Sequence, residues 1–278
     1  MTLEIRAASP TEREALWPAI EADRLLETPE ELRAEWQADP WTVRVAARGE
    51  GALLGKWREH LPILAMRGVW CHERHVADFA ADALQLAREH GFDQLMSPLL
   101  PEALLGGYRR VGMRVAHRIV AVQGRPDLVL PSDPPLGVRI REATPDDLEA
   151  VARIDADCFD ELWRYELPEL SRIAGVERLA VAQAEGGAII GYTLATVIRG
   201  SATLSRLATA PHARRCGIGR AILSEAAQWA RRTGAVTMAL CTQEENAESR
   251  SLYAAAGLSE VRERFALAMC DTRRDGGT

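Results

Sequence analysis

The sequence has no run approaching the roughly 18 consecutive apolar residues that a membrane-spanning helix needs. It opens directly into an alternating segment, with no basic stretch followed by an apolar leader. No C-x-x-C pair occurs, and the cysteines are few and scattered: Cys71, Cys158, Cys216, Cys241 and Cys270. These absences predict no membrane partner and no disulfide framework, and they favour reduced thiols in a cytoplasmic protein.

A positive net charge is also lacking. Asp and Glu number 40 against 34 Lys and Arg, for a net charge of -6, which disfavours a nucleic-acid partner. The 278 residues, 47% of them hydrophobic, are sufficient for two cores.

The two halves of the sequence resemble each other. Residues 3–16 align with residues 138–151, and six of the aligned positions are identical. In each copy an alternating segment is followed by Ser-Pro or Thr-Pro, a pair suited to opening a helix. The ends also match, since Tyr108–Met113 resembles Tyr253–Leu258. Duplication is favoured over chance similarity, because the two matches occur in the same order.

Three prolines within residues 131–136 predict a linker. We therefore expect a domain at 1–130, a second at 137–272 and a flexible tail at 273–278.

The second half predicts a mixed α/β order. A strand at 138–141 precedes a mostly helical stretch from 146 to 170 with a break near Pro168, then a hairpin and a strand ending near Ala210. An amphipathic helix ends before Gly234, and a strand at 236–241, a short helix at 246–256 and a final strand to about Met269 follow.

One segment of this half suits phosphate binding. Residues 211–220 follow a strand and open a helix, where backbone N–H groups and the helix dipole converge. Gly217 and Gly219 permit close approach, and Arg214, Arg215 and Arg220 add positive charge. The alternative is a basic helix start without a ligand. A P-loop and a dinucleotide fingerprint are both excluded by missing residues.

Arg214-x-x-Gly217-x-Gly219, with Asn246 and Tyr253 behind it, resembles the coenzyme A signatures of the GNAT superfamily of N-acetyltransferases. The resemblance implies two tandem GNAT-like domains, each a central, mostly antiparallel mixed sheet flanked by helices. It implies that Asn246 contacts the coenzyme and that Tyr253 is a general acid, although Tyr253 also suits a core position. The other implied coenzyme contacts are the pantetheine strand Leu207, Ala208 and Thr209 and the pyrophosphate loop Arg215, Cys216, Gly217, Ile218, Gly219 and Arg220.

The resemblance further implies acetyl-CoA as co-substrate, a primary amine of a small molecule or peptide as acceptor, and no metal. A monomer or a homodimer would serve, and the two-copy layout resembles tandem GNAT proteins of actinobacteria. Some relatives have a glutamate that acts as the general base at the position of Cys241 in this sequence. No general base is therefore assigned, although Glu244 and Glu245 are near. A non-catalytic acyl-CoA sensor or scaffold is the alternative.

Two regions depart from the family pattern or leave it undecided. An acidic stretch fits a solvated helix face better than an amine-attracting pocket: Asp155, Asp157, Asp160, Glu161 and Glu166. In the first half, a strand at 63–70 and a helix at 76–89 are joined by Cys71-His72-Glu73-Arg74-His75, without a glycine pair. We expect this half to have lost coenzyme binding. A zinc site there lacks a fourth ligand.

Overall fold

In the computed structural model, which describes residues 3–23, 25–26 and 28–273, both Ser/Thr-Pro sequences open helical segments. Ser9 caps the first helix, since its hydroxyl accepts the Glu12 N–H and its own N–H donates to the Glu12 carboxylate. The N–H of Thr144 donates to Asp147 Oδ2 at 2.7 Å in the same way. These caps satisfy backbone groups that the start of a helix leaves unpaired.

Eight helices occur in the described part of the chain. They are α1 (Pro10–Ala22), α2 (Pro29–Ala38), α3 (Val76–Glu89), α4 (Gly106–Arg110), α5 (Leu148–Cys158), α6 (Leu167–Ala174), α7 (Ile218–Arg232) and α8 (Ala247–Ala255). The strands are β1 (Arg6–Ala7), β2 (Val43–Val45), β3 (Gly51–Lys56), β4 (Ile63–Trp70), β5 (Gln94–Met96), β6 (Leu100–Pro101), β7 (Arg114–Gly124), β8 (Val138–Glu142), β9 (Arg178–Ala184), β10 (Ile189–Ile198), β11 (Ser201–Thr209), β12 (Thr237–Gln243) and β13 (Ser259–Asp271).

The chain divides into two units. The first unit comprises Met1–Arg118 and Phe265–Thr278, and the second comprises Ile119–Arg264. Within the second unit the strand order is β8-β9-β10-β11-β12-β7, and only β11 and β12 run parallel. Within the first unit the order is β1-β2-β3-β4-β5-β13, and among its described residues only β4 and β5 run parallel. The predicted mixed, mostly antiparallel sheets are confirmed.

The boundaries of the units differ from the expected halves 1–130 and 137–272. Residues 119–124 of β7 pair with β12 inside the second unit, and β13 pairs with β5 and β6 inside the first unit from residue 265 onward. β7, the last strand of the expected first half, therefore completes the sheet of the second unit. β13, the last strand of the expected second half, completes the sheet of the first unit. The proline-rich residues 131–136 lie within the second unit, where the Ser132 N–H donates to Ser224 Oγ at 3.0 Å. Of the expected tail 273–278, residues 274–278 lie outside the described residues.

The helices of the second unit cover both faces of its sheet. α7 packs one face through residues such as Leu223, Ala226 and Ala230, which join the strand residues Val122 and Leu240 in one buried cluster. α5 and α6 bury a second cluster, which includes Leu170 of α6 and Val181, Tyr192 and Leu194 of β9 and β10. No helix in the described part of the chain is long and apolar enough to cross a membrane.

The expected helical stretch from 146 to 170 is interrupted earlier than predicted. α5 ends at Cys158, residues 159–166 form neither helix nor strand, and α6 then begins at Leu167. Pro168 therefore lies in the first turn of α6, where its missing N–H costs no hydrogen bond and its fixed φ suits the helix. The expected break near Pro168 is therefore present at residues 159–166, and Pro168 itself belongs to the helix that follows.

The α7 core predicts a large effect of truncation. Leu223 is fully buried, so Leu223→Ala should lower the free energy of unfolding by about 2–5 kcal/mol through lost burial and a residual cavity. Urea unfolding followed by tryptophan fluorescence measures this, since Trp229 packs against the same cluster. Val236 in the same unit is 69% exposed, and Val236→Ala should change stability by less than about 0.5 kcal/mol. Equal losses in the two variants would contradict the assignment of the core.

Candidate active site

The parallel pairing of β11 with β12 stops halfway along β11. It runs from Ser201 opposite Thr237 to Leu204 opposite Leu240, although β11 continues to Thr209. At this point β11 also carries a bulge, since Leu204 pairs with Ala195 of β10, Arg206 pairs with Leu194, and Ser205 is the extra residue. A bulge bends and twists the strand that contains it. The bulge therefore accompanies the separation of β11 from β12.

The separated end of β11 has one paired edge and one open edge. Leu207, Ala208 and Thr209 pair with Thr193, Tyr192 and Gly191 of β10. On the side of β12, no strand in the described part of the chain pairs with β11 beyond Leu204. Extended backbone with an open edge can hydrogen-bond an elongated ligand that carries amide groups.

The turn after β11 forms a concave arrangement of backbone N–H groups. A short 3-10 turn at Pro211–Ala213 leads to two residues in the left-handed region, Arg215 with φ +63° and Gly217 with φ +83°. Gly217 precedes α7 without a side-chain cap, and the helical hydrogen bonds begin with the Ala221 N–H, which donates to the Gly217 carbonyl. The N–H groups just before Ala221 are therefore directed outward at the positive end of the helix dipole, an arrangement that suits an anion.

The arginines of this turn carry unbalanced charge. Arg214 Nε donates to the Thr209 carbonyl at 3.3 Å, and Arg220 Nη2 donates to the Ala255 carbonyl at 3.2 Å. Within the described residues, no carboxylate forms an ion pair with Arg214, Arg215 or Arg220. Because carbonyls leave a guanidinium's charge uncompensated, these three side chains favour a bound anion.

These features surround one cavity of about 690 Å³ in the second unit. Nine of the residues predicted as coenzyme contacts line it: Leu207, Ala208, Thr209, Arg214, Arg215, Gly217, Gly219, Arg220 and Asn246. Three predicted residues lie elsewhere. Cys216 is exposed, whereas Ile218 and Tyr253 are buried in apolar clusters.

Helix α8 forms the opposite wall of the cavity. Asn246 is its N-cap, and its Oδ1 accepts the Ser249 N–H at 3.0 Å. Ser249, Ser251 and Leu252 line the cavity, whereas Tyr253 is only 6% exposed. Burial raises the pKa of Tyr253 to about 12, and a hydrogen bond with Ser249 opposes that rise. Tyr253 is therefore protonated at neutral pH and contacts a residue of the cavity wall.

Several lining residues carry no signal in the sequence. Cys158 and Phe159 line the cavity from the end of α5, where Cys158 Sγ donates to the Thr209 carbonyl at 3.3 Å. Glu248, Ser249 and Ser251 belong to α8, and only the expectation of a helix after Asn246 could have placed them here. The Ser205 bulge could not be found in the same way, since a serine within a strand is unexceptional.

The acidic stretch was wrongly interpreted at one position. Asp157, Asp160, Glu161 and Glu166 are exposed, as a solvated face requires. Asp155 is instead fully buried, and Arg206 Nε lies 3.3 Å from its Oδ2. Apolar periodicity cannot reveal a buried acid whose partner lies on a distant strand.

The described residues near the end of β12 include no buried carboxylate. Cys241 is exposed on β12, and Glu244 lies 3.4 Å from Arg264 in an ion pair. Glu245 is exposed. The carboxylates near β12 therefore provide no buried group that takes the place of the missing glutamate.

The first unit contains the same separation of strands. The parallel pairing of β4 with β5 stops at Ala65 and Met96, and β4 then carries a bulge at Arg67. Its turn differs, however, because a carboxylate of the chain occupies it. Glu50 accepts the His72 backbone N–H at 2.9 Å and lies 2.8 Å from His75 Nδ1. Burial opposes ionisation of Glu50, but these hydrogen bonds and the charges of His75 and Arg74 lower its pKa.

A side chain also fills the space that Gly219 leaves open in the second unit. Both helices end before a glycine with positive φ, Gly91 after α3 and Gly234 after α7. Counting back from these glycines aligns Val76 with Gly219. Val76 packs so tightly on α4 that a Cβ on Gly107 would lie 2.6 Å from the Cβ of Val76. At Gly219, by contrast, an added Cβ would meet nothing closer than Thr209 Oγ1 at 3.4 Å.

Comparisons with known proteins agree with this geometry. The sequence model described as the Acetyltransferase (GNAT) family matches residues 148–258. A GCN5-related N-acetyltransferase from Sphaerobacter thermophilus has a TM-score of 0.68 at 19% identity, and the match covers 98% of this chain and 96% of that one. A tandem GNAT protein from the clavulanic acid biosynthesis pathway has a TM-score of 0.71 at 16% identity, covering 98% and 99%. A comparison with curated protein sequences found no significant match.

Fold and family match together define an enzyme of the acetyltransferase class, whose members use acetyl-CoA as co-substrate. Residues 148–258 therefore match the GNAT family, and the fold of the chain is similar to that of a tandem GNAT protein. At these identities the solved structures establish the fold, and the acceptor has to be argued from the site itself.

Proposed function

We propose that this protein transfers an acetyl group from acetyl-CoA to a primary amine of a small molecule or peptide, by direct attack of the amine on the thioester. The observation that supports this proposal is that one cavity contains both an open strand edge and an anion-binding helix N-terminus. The open edge of β11 at residues 207–209 continues into the N-terminus of α7 with its uncompensated arginines. A ligand with an amide-containing arm and a charged diphosphate matches both features.

The residues of the cavity divide into two groups on this proposal. Leu207, Ala208 and Thr209 offer backbone groups to the pantetheine arm. The N–H groups before Ala221, together with Arg214, Arg215 and Arg220, hold the diphosphate through charge-assisted hydrogen bonds. Gly217 and Gly219 keep side chains out of the space that the phosphates require.

The separated strand also suits the chemistry of acyl transfer. An amine that attacks the thioester carbonyl places negative charge on that oxygen, and a backbone N–H on the open edge of β11 can stabilise the charge. The departing thiolate requires a proton. Tyr253 retains its proton across the neutral range because its pKa is about 12, and it can deliver that proton directly or through an intervening group.

We infer one coenzyme site per chain. In the first unit the Glu50 carboxylate accepts the turn's His72 N–H, and Val76 fills the space that Gly219 leaves open. A diphosphate would have to displace both groups. On this inference the first unit does not bind the coenzyme.

A non-catalytic acyl-CoA sensor is a second candidate, favoured by the exposed Cys241 at the position where some relatives carry a basic glutamate. A panel of primary amines with acetyl-CoA, read by thiol release, separates the candidates. Release that depends on an amine supports the enzyme, whereas saturable binding without release across the panel supports the sensor.

Gly219→Val tests the coenzyme site by giving the second unit the residue of the first. The valine should weaken acetyl-CoA binding by about 100-fold, because its branched side chain prevents at least one hydrogen bond to the phosphates. One charge-assisted hydrogen bond contributes roughly 1.5–3 kcal/mol to binding. Isothermal titration calorimetry measures the Kd. Folding should be preserved, because an added Cβ at Gly219 meets only ordinary contacts.

The matched control for this variant is Gly186→Val. Gly186 lies in the exposed β9–β10 turn, and an added Cβ there meets nothing within 4 Å. This variant should bind acetyl-CoA with the wild-type Kd. Absence of saturable binding in the wild type, or equal Kd values for Gly219→Val and the wild type, would overturn the site.

The acid role of Tyr253 predicts a particular pH profile. Because the pKa of Tyr253 is raised to about 12, the phenol stays protonated below that pH. Its titration should therefore not lower kcat on the alkaline side up to about pH 10, while Tyr253→Phe should lower kcat by roughly 10²–10⁴-fold with an unchanged Kd for acetyl-CoA. A decline in kcat near pH 8–9 that disappears in Tyr253→Phe would contradict this role.

A further inference from the structure

A buried charged cluster lies beside the separated end of β11. Arg206 directly follows the bulge residue Ser205, and its side chain is 8% exposed. Its Nε lies 3.3 Å from Oδ2 of the fully buried Asp155 of α5. The hydroxyl of Tyr192 donates to the same carboxylate oxygen. Such a pair is expensive to desolvate, so its retention calls for a reason other than stability alone.

The cluster holds the segment 159–166, which has no helix or strand of its own. Arg206 Nη2 donates to the Trp163 carbonyl at 2.7 Å. The guanidinium carbon lies over two rings of the segment, 4.1 Å from the centre of Phe159 and 3.9 Å from the centre of Tyr165. The second oxygen of Asp155, Oδ1, accepts the Tyr165 N–H at 2.6 Å.

This segment reaches the cavity through its first residue. Phe159 lines the cavity, and so does Leu207, the residue after Arg206. Arg206 thus lies between the bulge and the open edge of β11 in the chain, and its guanidinium contacts the segment. Only an arginine can stack on two rings, donate to a carbonyl and face a carboxylate at once, because its donors form a rigid planar fork.

We propose that Arg206 and Asp155 are positioning residues that hold residues 159–166 in a preformed arrangement, with Phe159 in the cavity wall. Arg206 lies at the end of the open edge of β11 that is away from the anion-binding turn, which is where the proposed function places the thioester and the attacking amine. Neither residue is catalytic, since both oxygens of Asp155 and the faces of the Arg206 guanidinium are occupied within the protein. The acceptor part of this inference rests on the proposed function. The preformed segment does not.

The first experiment measures the order of the segment without any substrate. Arg164 lies within it, so trypsin cleavage after Arg164, followed by mass spectrometry under native conditions, reports its release. Arg206→Met and Arg206→Lys should both cleave there on the order of tenfold faster than the wild type, because neither side chain replaces the planar fork. Asp155→Asn should do the same to a smaller extent, since the amide preserves the shape.

The matched control is Arg178→Met. Arg178 is another arginine of the second unit with little side-chain exposure (9%), paired with Glu225 at 2.8 Å and stacked 4.9 Å from the ring of Trp229. Its loss should lower stability in a similar way and leave cleavage after Arg164 unchanged. Equal cleavage in Arg206→Met and Arg178→Met would overturn the proposal, because it would show a general loss of stability.

The second experiment uses an amine found in the acceptor panel. In Arg206→Met, kcat/KM for the amine should fall on the order of 10- to 100-fold, mainly through KM, as displaced positioning groups do. The Kd for coenzyme A should stay within about threefold of wild type, since the phosphate-binding turn is untouched. An unchanged KM for the amine together with a released segment would overturn the acceptor part. A wild type that binds acetyl-CoA but acetylates no amine would instead count against the proposed function, and the cleavage experiment would still decide whether the segment is preformed.

Discussion

The extra residue Ser205 in β11 is the constraint on which the rest of the site depends. Up to Leu204 the strand is a full member of the sheet, with β10 on one side and β12 on the other. Beyond the bulge it retains only β10. Unpaired backbone groups within a protein are costly unless water or a ligand satisfies them. The backbone groups on the open edge at residues 207–209 are thus available to hydrogen-bond a ligand. The turn between β11 and α7 places an anion-binding site next to this edge.

Both units share this strand geometry, so the geometry alone does not distinguish the proposed coenzyme site. Both carry a bulge where parallel pairing stops, at Ser205 in the second unit and at Arg67 in the first. Only the second unit combines the bulge with glycines at the helix start. The first unit completes its donors internally, with Glu50 accepting the His72 N–H. On the proposed function, an internal carboxylate and a branched side chain close the turn of the first unit to a ligand.

The turn at residues 211–220 could be predicted because its chemistry is local. Glycine spacing, a preceding strand and an amphipathic helix are consecutive in the chain, and so is the cap formed by Asn246. Features that depend on tertiary packing could not be predicted. Asp155 falls on the α5 helix among exposed acids, and only its approach to Arg206 explains why it is buried. The exchange of β7 and β13 between the sheets was missed for the same reason, since strand alternation does not specify the neighbouring strand.

Amide hydrogen exchange with and without coenzyme A tests the presence of a single coenzyme site, because the two units serve as each other's control. Coenzyme A should slow exchange at residues 205–209 and 217–221 of the second unit. Exchange should not change at residues 66–77 of the first unit, where Glu50 accepts the His72 N–H of the turn and Val76 packs at the start of α3. Protection that is absent from the second unit, or equal in both units, would rule out a single coenzyme site in the second unit.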